Sequence, residues 1–158
     1  MYSLDTSFFM DWQARYYPLD LFTSLEDKIE ILIASGGCVA VQLVQEEIDA
    51  VGTPGLRTWA ADQSGLFLPL SPEVQIEAAA IEASYPELMD PKGLNESADA
   101  YVIALAKLQK DGIVVSQETS VQEKHRPRRS YFIPDVCRDL GIPCINLLGM
   151  MRREKWTF

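Results

Sequence analysis

Histidine and cysteine are scarce in this chain of 158 residues, and their scarcity excludes several chemistries. The single histidine, His125, rules out zinc sites built from several histidines, such as H-E-x-x-H. The three cysteines, Cys38, Cys137 and Cys144, are an odd number without a C-x-x-C pair, so we expect neither a disulfide framework nor a four-cysteine zinc site. This cysteine usage is typical of a reducing compartment, and we therefore predict a cytoplasmic location.

Several short motifs and long apolar runs are also missing. The sequence contains no G-x-S-x-G, G-x-x-x-x-G-K-[ST] or G-x-G-x-x-G motif, which excludes the hydrolase nucleophile elbow, the P-loop and the dinucleotide fingerprint. The segment after Asp5 lacks the second acid of a D-x-D phosphotransferase strand. Near the N-terminus, the longest uncharged stretch, Ile31 to Gln45, has 15 residues and contains two adjacent glycines. It is shorter than the roughly 20 apolar residues that span a bilayer, so we expect no membrane association.

Charge is unevenly distributed along the chain. The formal net charge of -9 argues against general electrostatic binding of nucleic acid. However, residues 1–100 carry 4 basic and 17 acidic side chains, whereas residues 101–158 carry 10 basic and 6 acidic ones. Such an asymmetry indicates either scattered solvated charges or an acidic cation site beside a basic, anion-binding face.

Short apolar runs alternate with helical patterns from one end of the chain to the other. This alternation predicts βαβ units around a parallel sheet, in one α/β domain covering residues 1–158. Polar or proline-rich loops are expected over Tyr85–Glu96 and Gln117–Ser130. Extended segments are predicted at Tyr2–Asp5, Cys38–Val41, Leu66–Leu68, Ile113–Ser116 and Pro143–Ile145, and helices at Leu19–Ala34, Leu43–Val51, Pro54–Asp62, Pro72–Ser84, Ala98–Lys110, Pro134–Leu140 and Asn146–Lys155.

Acidic residues lie at the ends of the predicted strands, where open parallel sheets place ligand sites. Taken singly, each has a simpler explanation, since an acid stabilises a helix N-terminus and a helix surface is often charged. Together, three or four carboxylates at one sheet edge would repel each other unless they were protonated or bound a cation. Oxygen ligands without histidine or cysteine favour Mg²⁺ or Mn²⁺, ions that support phosphodiester hydrolysis. The candidates are Asp5, Glu46 or Glu47, Asp99, Glu118 and Asp135.

Four segments match a known family in order and spacing: Y-S-L-D-T-S, V-Q-E-E-I, S-A-D-A-Y-V-I-A-L-A and I-V-V-S-Q-E. They resemble the segments of the PIN-domain ribonucleases, in particular the toxins of toxin–antitoxin pairs. The register of the second segment selects Glu47 over Glu46. The chain is also similar to a subfamily of the DUF4411 type, with Y-Y-P-L-D at Tyr16–Asp20 and I-P-D-V-C at Ile133–Cys137. Two features depart from the pattern: Glu118 replaces a shorter aspartate, and a basic loop follows it.

The resemblance implies a three-layer α/β/α sandwich with a short-stranded parallel sheet and a pocket that binds one or two Mg²⁺ or Mn²⁺ ions. The implied activity is hydrolysis of RNA by a metal-bound water. An antitoxin protein that covers the acidic pocket and a second copy in a homodimer are the implied partners. Asp5, Glu47 and Asp99 would be the main ligands, Glu118 or Asp135 would complete the set, and Thr6 and Ser116 would orient ligands or water.

Basic and aromatic residues suggest surfaces for RNA or for a partner. The first basic cluster is either a solvated loop or a set of phosphate contacts, with Tyr131 available for stacking. A second cluster, Arg152, Arg153 and Lys155, lies beside Trp156 near the C-terminus. The aromatic residues near the start of the chain form either a partner interface or part of the core: Phe8, Phe9, Trp12, Tyr16 and Tyr17. The first basic cluster comprises Lys124, His125, Arg126, Arg128 and Arg129.

Metal-dependent endoribonuclease activity, as a toxin, is the function we expect. Two alternatives remain at this point: a structure-specific DNA or RNA nuclease in processing or repair, and a catalytically inactive domain that only binds nucleic acid or protein.

Overall fold

A parallel five-stranded sheet forms the centre of the described structure. The computed structural model describes residues 1–17, 20–89 and 97–158. The strand order is β3-β2-β1-β4-β5, and every neighbouring pair is parallel. The central strands are short apolar runs, as expected for a parallel sheet that is buried on both faces. The strands are β1 (Tyr2–Leu4), β2 (Cys38–Val41), β3 (Phe67–Leu68), β4 (Ile113–Val115) and β5 (Cys144–Ile145).

Eight α-helices within the described residues surround this sheet, which confirms the predicted α/β fold with short parallel strands. The arrangement agrees with a three-layer α/β/α sandwich. A π-helical turn, Trp12–Tyr16, and two 3₁₀ turns, Pro86–Leu88 and Val121–Glu123, complete the helical segments. None of the described helices is long and apolar enough to cross a bilayer. The α-helices are α1 (Thr6–Asp11), α2 (Leu25–Ala34), α3 (Gln42–Val51), α4 (Pro54–Asp62), α5 (Pro72–Ser84), α6 (Asp99–Leu108), α7 (Ile133–Leu140) and α8 (Leu147–Arg153).

Helix ends are predicted best where the sequence carries a capping signal. Both α4 and α5 have the predicted bounds, because Thr53 and Ser71 cap their first turns with a hydroxyl and a proline follows each cap. Helix α7 ends at Gly141, which adopts a left-handed conformation with φ of 69°, as a C-terminal glycine often does.

Elsewhere the predicted boundaries need correction. The helix predicted over Leu19–Ala34 begins at Leu25, and the helix predicted over Ala98–Lys110 spans Asp99–Leu108. Leu108, the last residue of the latter helix, is 46% exposed. Positions 18–19 and 90–96 lie outside the described residues, so the middle of the Y-Y-P-L-D motif and most of the loop predicted over Tyr85–Glu96 are not described.

The aromatic residues near the start of the chain belong mainly to the core. Phe8, Phe9 and Trp12 are fully buried, and the rings of Trp12 and Trp59 meet edge to face at 4.7 Å between centroids. The core alternative is therefore confirmed for these residues, and the interface alternative is wrong for them. Tyr16, in contrast, is 65% exposed.

The sheet topology brings the ends of β1 and β4 together. Leu4 pairs with Val115, and the Asp5 amide donates a hydrogen bond to the Val115 carbonyl at 3.0 Å. Asp5 and Ser116, the next residue of each chain segment, are consequently neighbours at the carboxyl edge of the sheet. Helix α3 starts directly after β2 at the same edge.

Candidate functional site

Asp5 occupies the centre of this edge and caps helix α1. One carboxylate oxygen, Oδ2, accepts hydrogen bonds from the Ser7 amide at 3.3 Å, the Ser7 hydroxyl at 2.5 Å and the Ser116 hydroxyl at 3.0 Å. Burial raises the pKa of Asp5, while the bonds from Ser7 and Ser116 oppose that shift by stabilising the charged form. The two serines therefore fix the direction of the Asp5 carboxylate.

Glu47 reaches the same edge from helix α3. Its Oε2 accepts a hydrogen bond from the Thr6 hydroxyl, and its Oε1 accepts one from the Ala98 amide at 2.9 Å. Burial raises the pKa of Glu47, and the negative charge of Asp5 contributes in the same direction. Glu46 is exposed and instead accepts a bond from Gln42 on its own helix. The structure thus brings Glu47, rather than Glu46, to Asp5.

Asp99 is the first residue of helix α6 and interacts electrostatically with the three other carboxylates. Burial raises the pKa of its carboxyl well above the usual value, and the negative charges of Asp5, Glu118 and Glu47 raise it further. Like charges shift each other's pKa in this way only when they lie close together. Asp5, Glu47, Asp99 and Glu118 therefore form one acidic group at the carboxyl edge of the sheet, and we call it the acidic group below.

Glu118 joins the acidic group from the segment after β4. The Glu118 amide donates to the Ser116 hydroxyl at 3.1 Å, and its Oε2 accepts a hydrogen bond from the Ile133 amide at 3.0 Å. Burial raises the pKa of Glu118, the Asp5 charge adds to the shift, and Arg129 and Lys124 oppose it. Its side chain is thus held between the end of β4 and the start of α7.

Asp135, the other candidate for the fourth acid, has a different environment. It is 1% exposed, and its Oδ2 accepts hydrogen bonds from the amides of Val121 at 2.9 Å and Phe132 at 3.0 Å. Its Oδ1 accepts a bond from the Arg138 guanidinium at 3.1 Å. No described contact joins Asp135 to the other four acids. The structure places it as an anchor for the preceding loop, whereas Glu118 lies with Asp5 and Asp99.

Ser7 is the site residue that sequence reasoning missed. The prediction assigned the hydroxyl roles to Thr6 and Ser116, and both bind carboxylates of the acidic group. Ser7 also contacts Asp5, and its hydroxyl accepts a bond from the Gln117 amide at 2.8 Å. The available signal was the D-T-S triplet itself, because a helix that starts at Thr6 directs successive hydroxyls to different partners. Thr6 binds Glu47 on α3, and Ser7 binds Asp5, the residue after β1.

The loop predicted over Gln117–Ser130 is more ordered than an exposed loop. Ser120 is buried and forms a capping box with Glu123 around the 3₁₀ turn. Because Glu118 binds the Ile133 amide and Asp135 binds the Val121 amide, the segment is attached to the start of α7 at two points. We call residues 117–132 the basic loop.

Two cations of the basic loop stand beside the acidic group. The Lys124 amine lies 4.2 Å from the centre of the Phe132 ring, and the Arg129 guanidinium lies 5.7 Å from it. One Arg129 nitrogen, Nη1, is 3.4 Å from Asp99 Oδ2. The basic loop is therefore in direct contact with the acidic group through Arg129.

The remaining cations of the basic loop face solvent. Arg126 and Arg128 are exposed, as is His125. Arg128 and Arg129 line an open cavity of about 620 Å³ together with Glu87. Arg129 is thus shared between this cavity and the acidic group, because it lines the cavity and also contacts Asp99. Tyr131 stacks edge to face on Tyr85 at 5.2 Å.

The second basic cluster lies elsewhere. Arg153 lines a separate cavity with Ile113 and Pro143, at the start of β4 and just before β5. The hydroxyl of Tyr2, at the start of β1, donates to Glu154. These contacts place the cluster at the amino edge of the sheet, opposite the acidic group. Trp156, beside this cluster in sequence, is partly buried against the core.

The donor chemistry of the acidic group suits a hard divalent cation, although its side chains are not arranged around one. Among the described residues, no cluster of three or more histidine, cysteine or acidic side chains has the arrangement of a metal-binding group. The acidic group nevertheless offers only oxygen donors, and its mutual repulsion would be relieved by a cation. Asp5, Glu47, Asp99 and Glu118 are therefore the residues that would hold Mg²⁺ or Mn²⁺.

Fold and site together define a parallel α/β domain with an acidic group and a basic loop at the carboxyl edge of its sheet. The chain belongs to the DUF4411 family, which is described as a domain of unknown function, and the family match covers residues 2–158. No curated protein and no solved structure matches the chain. Because the family description names no activity, the resemblance to PIN-domain ribonucleases stays a prediction.

Proposed function

We propose that this protein is a metal-dependent endoribonuclease that hydrolyses RNA phosphodiester bonds, as the toxin of a toxin–antitoxin pair. One observation carries the proposal: hydrogen bonds of adjacent residues hold four carboxylates at one edge of the sheet. Thr6 and the Ala98 amide bind Glu47 beside Asp5 and Asp99, and Ser116 binds both Asp5 and the Glu118 amide. A protein that concentrates four carboxylates in this way stores a repulsion that a divalent cation relieves. The four-segment resemblance to PIN-domain toxins supports the choice of RNA as substrate.

In this proposal the chain's own residues supply positioning and charge. A bound Mg²⁺ or Mn²⁺ would activate water and neutralise charge on the phosphodiester. Ser7 and Ser116 hold the Asp5 carboxylate, while Thr6 and the Ala98 amide hold both oxygens of Glu47. Such hydrogen bonds to ligating carboxylates fix their orientation and tune the site.

The basic loop provides the corresponding contacts for the RNA backbone. Arg128 and Arg129 line one cavity, and Arg129 also contacts Asp99 of the acidic group. The Lys124 amine lies over the same Phe132 ring as Arg129. Arginine binds phosphate oxygens through a planar fork of donors, and lysine binds them as a point charge. A single strand bound by these cations would bring a phosphate close to Asp99 through Arg129.

Asp5→Asn tests the nuclease function directly. We expect purified wild-type protein to cut RNA in Mg²⁺ or Mn²⁺, to lose this activity in a chelator, and to arrest growth when expressed. Asp5→Asn keeps the shape of the side chain but removes its charge, so we expect cleavage to fall about a thousandfold, corresponding to several kcal/mol of transition-state stabilisation. The measurements are RNA cleavage rates and growth after induction.

The matched control is Asp49→Asn, which removes the same charge from an exposed position of α3. It should cut RNA at the wild-type rate, and circular dichroism should be alike for all three proteins. Cleavage by Asp5→Asn at the wild-type rate would refute the site. A wild type that is folded and metal-loaded yet leaves RNA intact would refute the function.

RNA binding by the basic loop is tested with two arginines on opposite edges of the sheet. Arg128→Ala should weaken RNA binding and reduce the slope of log affinity against log salt by about 1, because one phosphate contact is lost. Arg153→Ala removes the same charge at the amino edge and should leave the slope unchanged. Filter-binding or fluorescence titrations over a range of salt measure both, and equal effects of the two substitutions would contradict a role for the basic loop.

The alternative of an inactive binding domain has one specific observation in its favour. No metal-binding arrangement is present among the described residues. This alternative predicts RNA or protein binding without cleavage and without metal affinity. The other alternative, a structure-specific nuclease in processing or repair, uses the same acidic group and predicts cleavage of branched or structured DNA or RNA in preference to single strands.

The toxin assignment also implies an antitoxin protein that covers the acidic group and a second copy in a homodimer. Both partners follow from the resemblance to PIN-domain toxins. Co-expression of a neighbouring antitoxin should restore the growth that the wild type arrests.

A further inference from the structure

Arg129 supplies a positive charge to the acidic group from within the same chain. Its Nη1 lies 3.4 Å from Asp99 Oδ2, with about a third of the Arg129 side chain and 15% of the Asp99 side chain exposed. Burial raises the pKa of both Asp99 and Glu118, and the charge of the same guanidinium opposes that rise. Arg129 thus interacts electrostatically with two of the four carboxylates.

The surroundings of Arg129 fix its position. On one side, the amide of the next residue, Ser130, donates a hydrogen bond to the Glu87 carboxylate. On the other side, the guanidinium lies over the ring of Phe132, whose own amide is bound by Asp135 at 3.0 Å. A cation held on an aromatic ring and between two anchors is in place before any ligand arrives.

We propose that Arg129 is the resident counter-cation of the acidic group and that a divalent cation must displace it from Asp99 in order to bind. Both cations need the same carboxylate, and two positive charges at one oxygen repel each other. The inference rests on the proposed function, since it concerns the metal that this function requires. The inference also accounts for the arrangement of the four carboxylates. With Arg129 bound to Asp99, the described side chains do not form a metal-binding group.

Displacement gives the guanidinium a second role. Once released from Asp99, Arg129 remains beside Lys124 on the Phe132 ring, where the two cations can bind a phosphate oxygen of the substrate. Metal loading and substrate binding are then ordered: the cation enters first and frees the arginine that meets the phosphate.

The test is a titration of the purified protein with Mn²⁺ in the absence of RNA. Binding is measured by calorimetry or by the electron paramagnetic resonance spectrum of free Mn²⁺. Arg129→Gln should bind Mn²⁺ about fivefold more tightly than the wild type, which corresponds to the roughly 1 kcal/mol of a part-exposed ion pair. Arg129→Lys retains the competing charge and should bind within about twofold of the wild type.

Arg128→Gln is the matched control. It removes an identical charge from the preceding residue, whose side chain is exposed. It should leave Mn²⁺ affinity unchanged. Equal or weaker binding by Arg129→Gln would overturn the inference, because Arg129 would then be only a structural ion pair. Equal tightening in Arg128→Gln would also overturn it, because net charge and not competition for Asp99 would be responsible.

Failure of this inference is distinguishable from failure of the proposed function. Tighter Mn²⁺ binding by Arg129→Gln supports the competition whether or not RNA is cut. In a wild type that does cut RNA, Arg129→Gln at saturating Mn²⁺ should raise KM for RNA more than it lowers kcat, and the opposite split would refute the phosphate role. If no variant binds Mn²⁺ at millimolar concentration, both the competition and the metal-dependent function are wrong.

Discussion

Asp99→Asn is expected to abolish RNA cleavage and, in the same protein, to raise the stability of the folded state at neutral pH. Cleavage should fall about a thousandfold, because a ligand of the proposed cation is lost. Stability should rise by about 1 to 2 kcal/mol, the usual gain when strain at a functional site is relieved. The reason for that gain is that burial and three neighbouring carboxylates disfavour the charged form of Asp99, and asparagine carries no charge.

The stability difference between Asp99→Asn and the wild type should depend on pH. The pKa of Asp99 is higher in the folded than in the unfolded state, so its favourable contribution is complete below the unfolded pKa and is lost as the pH rises through the folded pKa. The variant lacks this titration. Urea unfolding in metal-free buffer should therefore find the two proteins similar in acid and the variant more stable at neutral pH.

Asp49→Asn again serves as the control, since it removes an exposed charge, and it should change stability by less than about 0.5 kcal/mol. An Asp99→Asn protein that is less stable than the wild type at neutral pH would contradict the crowding of charge in the acidic group. One that cuts RNA at the wild-type rate would contradict the role of Asp99.

Trp12→Ala is expected to produce the largest loss of stability of the substitutions considered. Trp12 is fully buried. The centroid of its ring lies 4.7 Å from that of Trp59 and 6.3 Å from that of Phe8. Truncating a buried tryptophan costs about 3 to 5 kcal/mol, a large part of the roughly 5 to 15 kcal/mol that stabilises a typical domain. Thermal unfolding should shift downwards by about 10 °C or more for a chain of this size.

Tyr16→Ala, one helical turn further along, is the control. Tyr16 is exposed, so its truncation should cost less than about 0.5 kcal/mol. Light scattering on the same samples tests the interface alternative. If Trp12→Ala changed the oligomeric state while retaining wild-type stability, Trp12 would belong to an interface and not to the core.

The fold could be predicted from the sequence because its signals are local. Short, β-branched apolar runs such as Ile113–Val115 are typical of buried strands, and Ser71 followed by Pro72 is typical of a helix start. The start of α2 was missed because Leu21 and Phe22 follow a helical spacing without forming the helix, and periodicity carries no information on where hydrogen bonding begins.

The candidate site could be predicted only in part. Asp5 and Glu118 come shortly after strands, Asp99 begins a helix, and Glu47 lies in the helix that starts directly after β2, so the order of these elements places all four at one edge. Asp135 has the same local signature as Asp99, an acid in the first turn of a helix, and only the tertiary structure separates the anchor from the member of the acidic group.

The contact between Arg129 and Asp99 was beyond sequence reasoning for a related reason. The two residues are 30 positions apart, and the contact depends on how the basic loop is attached to α7. That attachment is made by backbone amides at Val121, Phe132 and Ile133, and an amide leaves no trace in the choice of side chain.

The double attachment of the basic loop has a consequence for how this protein can change. Glu118 and the loop cations occupy one continuous stretch of chain, which is attached to the first turn of α7 at Glu118 and Val121 and runs directly into that helix after Phe132. A substitution, an insertion or a bound partner that shifts this stretch will move an acid and the cations together. Under the proposed function, RNA cleavage and RNA binding would therefore depend on the same stretch, and variants that lose one property by distortion of the loop should lose the other in parallel.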